Sequence, residues 1–404
     1  MSDTDGTAVE PSDHALVPMH CLKLPEPGPP RRTTLPNGTP VWLITRYGDV
    51  RKVLTDARFT RSLLFAPDAP PLTDNLNLGN DPDSMFNKDG QEHLRVRRTI
   101  QRAFTPRAIE RWRPWVTSVV DGLLDELVRR GAPTDLITGY TLPLPVAVIS
   151  RLMGMEELRT EQLRHWSEHA FAGAGRDAQD VAVALREFSA FAAELLAERR
   201  GSPGDDLVST LVLTADRNGG IPETQLVNLV CGLVVAGHET TLTVLGNAML
   251  YLLGERPETW ARIGSDEEAA GLLADRLLHL IPLGDYGDRP GSLLRTAEDV
   301  EVGGVRIRAG EVVAADRSAA NRDPEVFPSA AHGSLFAPLE GPTLAFGAGQ
   351  HYCPGTWLAR LQLRLALNRL AARLPDLRLT VPLSAVEWRL GTTTRSPLSL
   401  PAAW

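Results

Sequence analysis

The sequence predicts a mainly α-helical protein with a minor β portion, and two observations support this prediction. Most of the chain after Gly48 repeats apolar residues at helical spacing, and Pro or Gly separates one such segment from the next. After residue 295 the pattern changes to short β-branched runs punctuated by Gly303, Gly304 and Gly310, which indicate small sheets. The sequence shows no internal repeat and no linker that would mark a second domain.

The predicted elements follow in chain order. Residues 1–38 are rich in Pro, Gly, Thr and Asp, so we expect an irregular N-terminal arm before one domain over residues 39–404. Val41 to Thr45 is a strand candidate. Helices are predicted at 91–104, 107–130, 145–153, 158–172, 178–200, 223–254 and 356–373. Short strands are predicted at Val300 and Val302, Val305 and Ile307, Val312 and Val313, and within 377–404.

Composition and charge exclude several classes of protein. Lys plus Arg number 42 against 50 Asp plus Glu, and the resulting net charge of −8 lacks the basic character of a nucleic-acid-binding protein. Three distant cysteines, Cys21, Cys231 and Cys353, argue against a secreted disulfide framework and fit a reducing compartment. The N-terminus is acidic where a signal peptide would be basic and then apolar, so we expect a cytoplasmic protein.

One long apolar segment, around residues 226–253, has the length of a membrane span. Its centre carries His238, Glu239 and Thr240, where a membrane helix would carry Leu or Val. We therefore predict a buried helix and no membrane association.

Residues 345–355 read Ala-Phe-Gly-Ala-Gly-Gln-His-Tyr-Cys-Pro-Gly and precede a predicted helix. Backbone amides of a glycine-rich loop, together with a helix N-terminus, favour a thiolate over a thiol. A lone cysteine is more often a small buried apolar residue, but the spacing here argues otherwise. The run resembles the haem-thiolate loop of the cytochromes P450, and every fixed position of that pattern is present: Phe346, Gly347, Gly349, His351, Cys353 and Gly355.

The resemblance continues over nearly the whole chain, from about Val41 to Trp404, and it implies the cytochrome P450 fold. In that fold the haem lies between the long oxygen-binding helix and the helix after the Cys loop. Cys353 is then the iron ligand, haem b is the cofactor and O2 is the co-substrate. Phe346, Gly347 and Gly355 are expected to border the cofactor.

Ala236-Gly237-His238-Glu239-Thr240-Thr241 resembles the oxygen-activating segment of the family. The resemblance implies that Glu239 and Thr240 are catalytic and help to deliver protons, while Ala236 and Gly237 lie against the haem. The alternative is a capped or kinked core helix in which Thr240 bonds back to a preceding carbonyl, as threonines often do.

Four basic residues are implied to hold the two haem propionates. His93 and Arg97 match the family's His-x-x-x-Arg segment, and their i, i+4 spacing places them on one helix face. Arg295 matches the arginine before a strand of the family's main sheet, and His351 should join it; an arginine fork suits carboxylates. Read alone, the 92–98 segment is more often a solvated basic face.

Two departures from the family pattern stand out. Arg276 and His279 occupy the positions of the family's Glu-x-x-Arg pair, and residues 336–342 offer no arginine as the third partner of that ion network. Because two basic groups cannot pair with each other as opposite charges do, we expect that replacing them by Leu and Gln leaves haem content largely intact. The segment 284–292 is longer and more polar than usual, so an inherited substrate assignment is in doubt.

Two functions remain open at this point. The first is a haem-thiolate monooxygenase or oxidase that hydroxylates or oxidatively couples a small organic molecule, such as a secondary-metabolite intermediate. It would be a monomer. Its electrons would come from ferredoxin and ferredoxin reductase, because a family-like domain fills the chain. The second is a haem-free auxiliary protein that stabilises a partner such as a glycosyltransferase. The colour of the purified protein distinguishes them, since only the first is red.

Overall fold

The computed structural model describes residues 24–72, 79, 81–155, 160–172, 176–217, 220–284, 291–329, 333–389 and 392–404. Cys21, the first part of the predicted arm and residues 285–290 of the long polar segment lie outside the described residues. The chain divides into two compact units.

Helices make up most of the described chain, as predicted. They are α1 (Tyr47–Thr55), α2 (Gly90–Gln101), α3 (Pro106–Glu110), α4 (Arg113–Arg130), α5 (Pro143–Met153), α6 (Thr160–Ala170), α7 (Ala178–Gly201), α8 (Leu207–Arg217), α9 (Glu223–Gly254), α10 (Trp260–Ser265), α11 (Glu267–Leu280), α12 (Arg317–Ala320) and α13 (Thr356–Arg373). The strands are β1 (Arg31–Thr34), β2 (Pro40–Ile44), β3 (Phe59–Thr60), β4 (Thr134–Asp135), β5 (Ser292–Thr296), β6 (Val300–Val302), β7 (Val305–Ile307), β8 (Val312–Ala315), β9 (Arg378–Leu379) and β10 (Pro401–Ala403).

The first unit contains Met1–Asp74, Leu278–Ser334 and Pro338–Cys353. Its sheet has the order β1-β2-β8-β5-β3, in which β2 and β8 run parallel and the other neighbours run antiparallel. Strands β6 and β7 form a separate hairpin. A core that includes Ile44, Val50, Val313 and Phe327 packs α1 against this sheet. Burial of these apolar side chains is the main stabilising contribution.

The prediction that the arm is irregular through residue 38 is wrong for Arg31–Thr34, which form β1. This strand pairs with β2 through a tight turn in which Gly38 takes a φ of +84° and Asn37 Oδ1 accepts a hydrogen bond from Thr39 N at 3.1 Å. Asn-Gly between two extended runs is a strong hairpin signal, because Gly adopts positive φ without strain. The sequence reading missed it because the strand itself is polar.

The second unit contains Asn75–Leu277, Leu335–Ala337 and Pro354–Trp404, and α9 forms its centre. Helix α9 packs against α5, α6, α7 and α13 and is buried on nearly every side. It is long and apolar enough to cross a membrane, but 83% of its most apolar window is buried inside the protein. The prediction of a buried helix is confirmed.

The predicted helix 107–130 is divided into α3 and α4. Pro114 lies in the first turn of α4, where its missing N–H costs nothing, but it cannot continue a helix that began at Pro106. Helices α1, α8, α10 and α12 were not predicted.

Candidate active site

The loop that carries Cys353 is fixed by its own backbone. Cys353 N donates to Phe346 O at 2.9 Å, and Tyr352 N donates to Gly349 O at 3.1 Å. Gly347 and Gly349 have φ values of +74° and +68°, which L side chains rarely adopt. A Cβ on Gly349 would lie 2.5 Å from Leu54 O. Glycine is therefore required at residue 349 by both conformation and close approach, and the predicted helix begins at Thr356 as expected.

The two described cysteines have different environments. Cys231 is buried in α9, its Sγ lies 3.7 Å from Phe188 O, and burial raises the pKa of its thiol to about 12. Cys353 is only partly buried. Among the described residues, no group of three or more His, Cys, Asp or Glu side chains could hold a metal ion. A single, partly buried thiol such as that of Cys353 fits a metal whose other ligands come from a macrocycle, as in a haem-thiolate site.

Thr240 donates its hydroxyl hydrogen to Ala236 O at 2.7 Å. The back bond that competes with a catalytic role is thus present. It occupies only the donor of the hydroxyl, and the oxygen keeps a lone pair for another hydrogen bond. At the neighbouring Gly237, a Cβ would meet Ile149 Cδ1 at 2.7 Å, so this glycine also permits close packing of α5 on α9.

Glu239 is fully buried and forms an ion pair that the sequence did not reveal. Its Oε2 accepts from Arg389 Nη1 at 3.1 Å, and its Oε1 accepts from Arg389 Nη2 and, at 2.7 Å, from Thr394 Oγ1. The Arg389 side chain is 8% exposed. Arg389 follows Glu239 by 150 residues, in the segment read only as strand-like runs. No local motif identifies such a partner.

Arg389 stays charged in this buried site. Burial lowers the pKa of Arg389 to about 10, which still leaves the guanidinium charged at neutral pH. Burial acts to raise the pKa of Glu168, but the hydrogen bond and charge of Arg164 and the charge of Arg389 outweigh it and leave that pKa below its usual value. His238 is fully buried, and burial with the nearby cations lowers its pKa to about 3, so it is neutral.

His93 and Arg97 lie on α2, one turn apart. His93 is 1% exposed and Arg97 is half-buried, whereas the adjacent Arg98 is exposed. The reading of this segment as a solvated basic face is therefore wrong for His93. A buried histidine one turn from a half-buried arginine suits an anionic group held against this part of the helix.

Arg295 lies in β5 with its guanidinium buried and its fork occupied by a carboxylate. Nη1 and Nη2 donate to Asp68 Oδ1 at 2.9 Å and Oδ2 at 2.7 Å, while Nε donates to Gly310 O at 2.9 Å. The Asp68 side chain is 77% exposed, and the hydrogen bond from Arg295 holds the pKa of its carboxyl below the usual range. The geometry of this fork is thus bidentate towards a carboxylate, the group that a propionate presents. His351 is half-buried in the turn Gly349–His351.

Comparisons with known proteins decide the family. The sequence model of the family "Cytochrome P450" matches residues 292–374. Nocardicin C N-oxygenase of Nocardia uniformis subsp. tsuyamanensis is 40% identical over 385 residues, which cover 93% of this chain and 92% of that protein. This chain belongs to the cytochrome P450 family.

Further relatives agree with this assignment. Mycinamicin IV hydroxylase/epoxidase of Micromonospora griseorubida is 35% identical over 405 residues, covering 98% of this chain and 100% of that protein. The crystal structure of HinD with NMFT and NO matches this P450 with a TM-score of 0.86 and 37% identity over 93% of each chain.

These relatives confirm the predicted fold, family and activity. The protein is a haem-thiolate oxidoreductase that uses haem b and O2 to oxidise small organic molecules, and it belongs to a group of bacterial P450s of secondary metabolism. The alternative of a haem-free auxiliary protein has no support among the relatives, which are named as oxygenases.

The positions of the missing ion network are buried in this P450. Arg276 and His279 are each 2% exposed. Arg276 Nη2 donates to Ala337 O at 3.3 Å, whereas His279 Nδ1 lies 3.1 Å from Thr343 Oγ1 and its ring packs on Phe327 with a centroid separation of 4.4 Å. Arg276 and His279 thus each have at least one uncharged partner in this structure.

Proposed function

We propose that this P450 oxidises a secondary-metabolite intermediate by hydroxylation or oxidative coupling, with Cys353 as the axial iron ligand. The Cys353 loop is the observation that supports the assignment, because its two positive-φ glycines and its partly exposed thiol fit a ligand loop. When bound, the haem activates dioxygen with two electrons and two protons; in a hydroxylation one oxygen atom enters the substrate and the other leaves as water.

Four residues are proposed to hold the haem carboxylates: His93, Arg97, Arg295 and His351. The burial of His93 and the bidentate fork of Arg295 support this role. A propionate at Arg295 would take the position of the exposed Asp68 carboxylate. Ala236, Gly237, Phe346, Gly347 and Gly355 are proposed to border the cofactor.

Thr240 and Glu239 are proposed to supply protons during oxygen reduction. The hydroxyl hydrogen of Thr240 is held by Ala236 O, so Thr240 Oγ1 is oriented to accept a hydrogen bond from a proton-bearing group. Both oxygens of Glu239 accept from Arg389, and one also accepts from Thr394. Protonation of Glu239 would neutralise the carboxylate and would therefore cost the charge attraction of its buried ion pair with Arg389.

The electrons are proposed to come from a ferredoxin and its reductase. We further propose a cytoplasmic monomer with one folded domain over residues 39–404. Relatives are named for nocardicin C and mycinamicin IV, and we propose that the substrate of this P450 is likewise a metabolite built by a dedicated pathway.

The test is spectroscopic. Reduced protein with carbon monoxide should show the red-shifted Soret band typical of thiolate ligation, and Cys353→Ser should lack it. A wild-type protein without the band, or a Cys353→Ser protein with it, refutes the assignment. Screening metabolites for a Soret shift on binding then identifies the substrate class.

A further inference from the structure

The backbone that leads into the Cys loop is held by side chains from several elements of the first unit. The segment is Pro342–Ala345, immediately before Phe346. Its contacts are Tyr47 Oη donating to Pro342 O at 2.8 Å, Leu344 N donating to Asn321 Oδ1 at 2.8 Å, Ala345 N donating to Thr343 Oγ1 at 3.1 Å, and Arg317 Nη1 donating to Ala345 O at 3.3 Å. Because Cys353 N bonds to Phe346 O, the position of this segment is transmitted to the cysteine.

Thr343 and Asn321 form a closed cycle of hydrogen bonds with His279, which takes part through both its ring and its backbone carbonyl. His279 Nδ1 lies 3.1 Å from Thr343 Oγ1, Thr343 Oγ1 donates to Asn321 Oδ1 at 3.4 Å, and Asn321 Nδ2 donates to His279 O at 3.2 Å. A hydroxyl has one hydrogen to donate. If Thr343 gives it to Asn321, His279 must donate from Nδ1, and each of the three hydrogen bonds then has one donor and one acceptor.

Two of the three members of the cycle, His279 and Asn321, are buried, and Thr343 is half-buried. His279 and Asn321 are each 2% exposed, and the His279 ring rests on Phe327, which is 1% exposed. A buried polar group that loses its partner there is costly, so the cycle favours one arrangement of the segment.

We propose that the His279–Thr343–Asn321 cycle positions the Cys353 loop in place of the Glu-Arg-Arg ion network of the family. The members are positioning residues, since they act on the thiolate through Leu344 N, Ala345 N and the loop backbone. The proposal rests on Cys353 being the iron ligand. It revises the expectation, drawn from the sequence, that replacing Arg276 and His279 by Leu and Gln leaves haem content largely intact.

The first test compares Thr343→Val with Thr343→Ser. Valine removes the hydroxyl and leaves Ala345 N without its acceptor, whereas serine keeps it. The readout is the absorption spectrum of the reduced protein with carbon monoxide. Its red-shifted Soret band reports the form that has the thiolate ligand, a second band reports the form that has lost it, and the ratio of the first to the second is measured. We expect a roughly tenfold fall in this ratio for Thr343→Val and near-wild-type behaviour for Thr343→Ser. Thr141→Val is the matched control, because Thr141 is fully buried and lies in a different unit.

The second test uses His279, and it decides the matter if Thr343→Val fails to fold. His279→Asn places an amide N–H near the position of Nδ1, whereas His279→Leu removes the donor. The band ratio should fall for Leu and be restored by Asn, and a His279→Leu, Thr343→Val double variant should be little worse than either single change, because the cycle acts as a unit.

Several outcomes overturn the proposal. A band ratio for Thr343→Val equal to that of Thr141→Val shows that the hydroxyl does not act on the loop. Equal losses in Thr343→Ser and Thr343→Val, or in His279→Asn and His279→Leu, show that only side-chain volume matters. Wild-type protein without the red-shifted band refutes the Cys353 assignment itself, a failure distinct from the other two.

Discussion

Replacing Arg389 by Met should destabilise the protein by about 3–5 kcal/mol at neutral pH, the usual cost of removing one partner of a buried ion pair. The magnitude follows from burial, since Arg389 is 8% exposed and Glu239 is 0% exposed. Met keeps most of the aliphatic stem, so the loss arises mainly from the charge left on Glu239. Thr394 still donates to that carboxylate at 2.7 Å, which places the expected value at the lower end of the range.

The assay is a double-mutant cycle in urea, followed by far-UV circular dichroism. The cycle consists of wild type, Arg389→Met, Glu239→Gln and the double variant. Because the double variant buries no unpaired charge, it should recover at least about 2 kcal/mol relative to the sum of the single changes. Arg369→Met is the matched control. Arg369 pairs with Asp121 through two hydrogen bonds, but both side chains are more than a third exposed, so its loss should cost at most about 1 kcal/mol.

The pH dependence has a definite sign. In Arg389→Met the carboxylate of Glu239 is buried without its cation, so the folded state should favour its protonated form. A carboxyl that stays protonated in the folded state lowers stability as pH rises above about 4, where the unfolded chain ionises. The variant should therefore lose more stability at about pH 7 than at about pH 4. A coupling energy below about 0.5 kcal/mol, or a loss equal to that of Arg369→Met, would refute the buried ion pair.

Three further outcomes are expected. Cys231→Ser should retain the red-shifted carbon monoxide band that Cys353→Ser loses, because the Cys231 thiol is buried with a pKa raised to about 12; loss of the band in Cys231→Ser alone would contradict this. Thr240→Ala should keep its haem, and its free energy of unfolding should fall by only about 1 kcal/mol because the bond to Ala236 O is lost. It should release more peroxide per product formed, and unchanged peroxide and product yields would count against a proton-supplying role. Gly349→Ala should reduce haem incorporation and destabilise the fold by at least about 1–3 kcal/mol, as measured by thermal unfolding, because it forces a side chain into positive φ and against Leu54 O; normal haem content would contradict the close approach.

The sequence alone was sufficient to predict features that depend on residues close together in the chain. The apolar period predicted most helices, including α9, and the charged and hydroxyl residues at its centre correctly distinguished a buried helix from a membrane span. The run around Cys353 identified the family. Gly347 and Gly349 have positive φ, which glycine adopts without strain, so glycine is needed at fixed positions of the loop and the spacing can be recognised in the sequence.

Only the tertiary structure revealed which side chains meet across long stretches of chain. Arg389 lies 150 residues from Glu239, and His279 lies 64 residues from Thr343. Local spacing encodes neither contact, since an ion pair or a hydrogen bond requires only that two groups arrive at the same place. The sequence could show that the usual ion network was missing. Its proposed replacement depends on the fold, which brings together a histidine, a threonine and an asparagine that form no motif in the linear chain. Backbone conformation is a local property and can be read from residue types, whereas the pairing of buried polar groups is decided by packing.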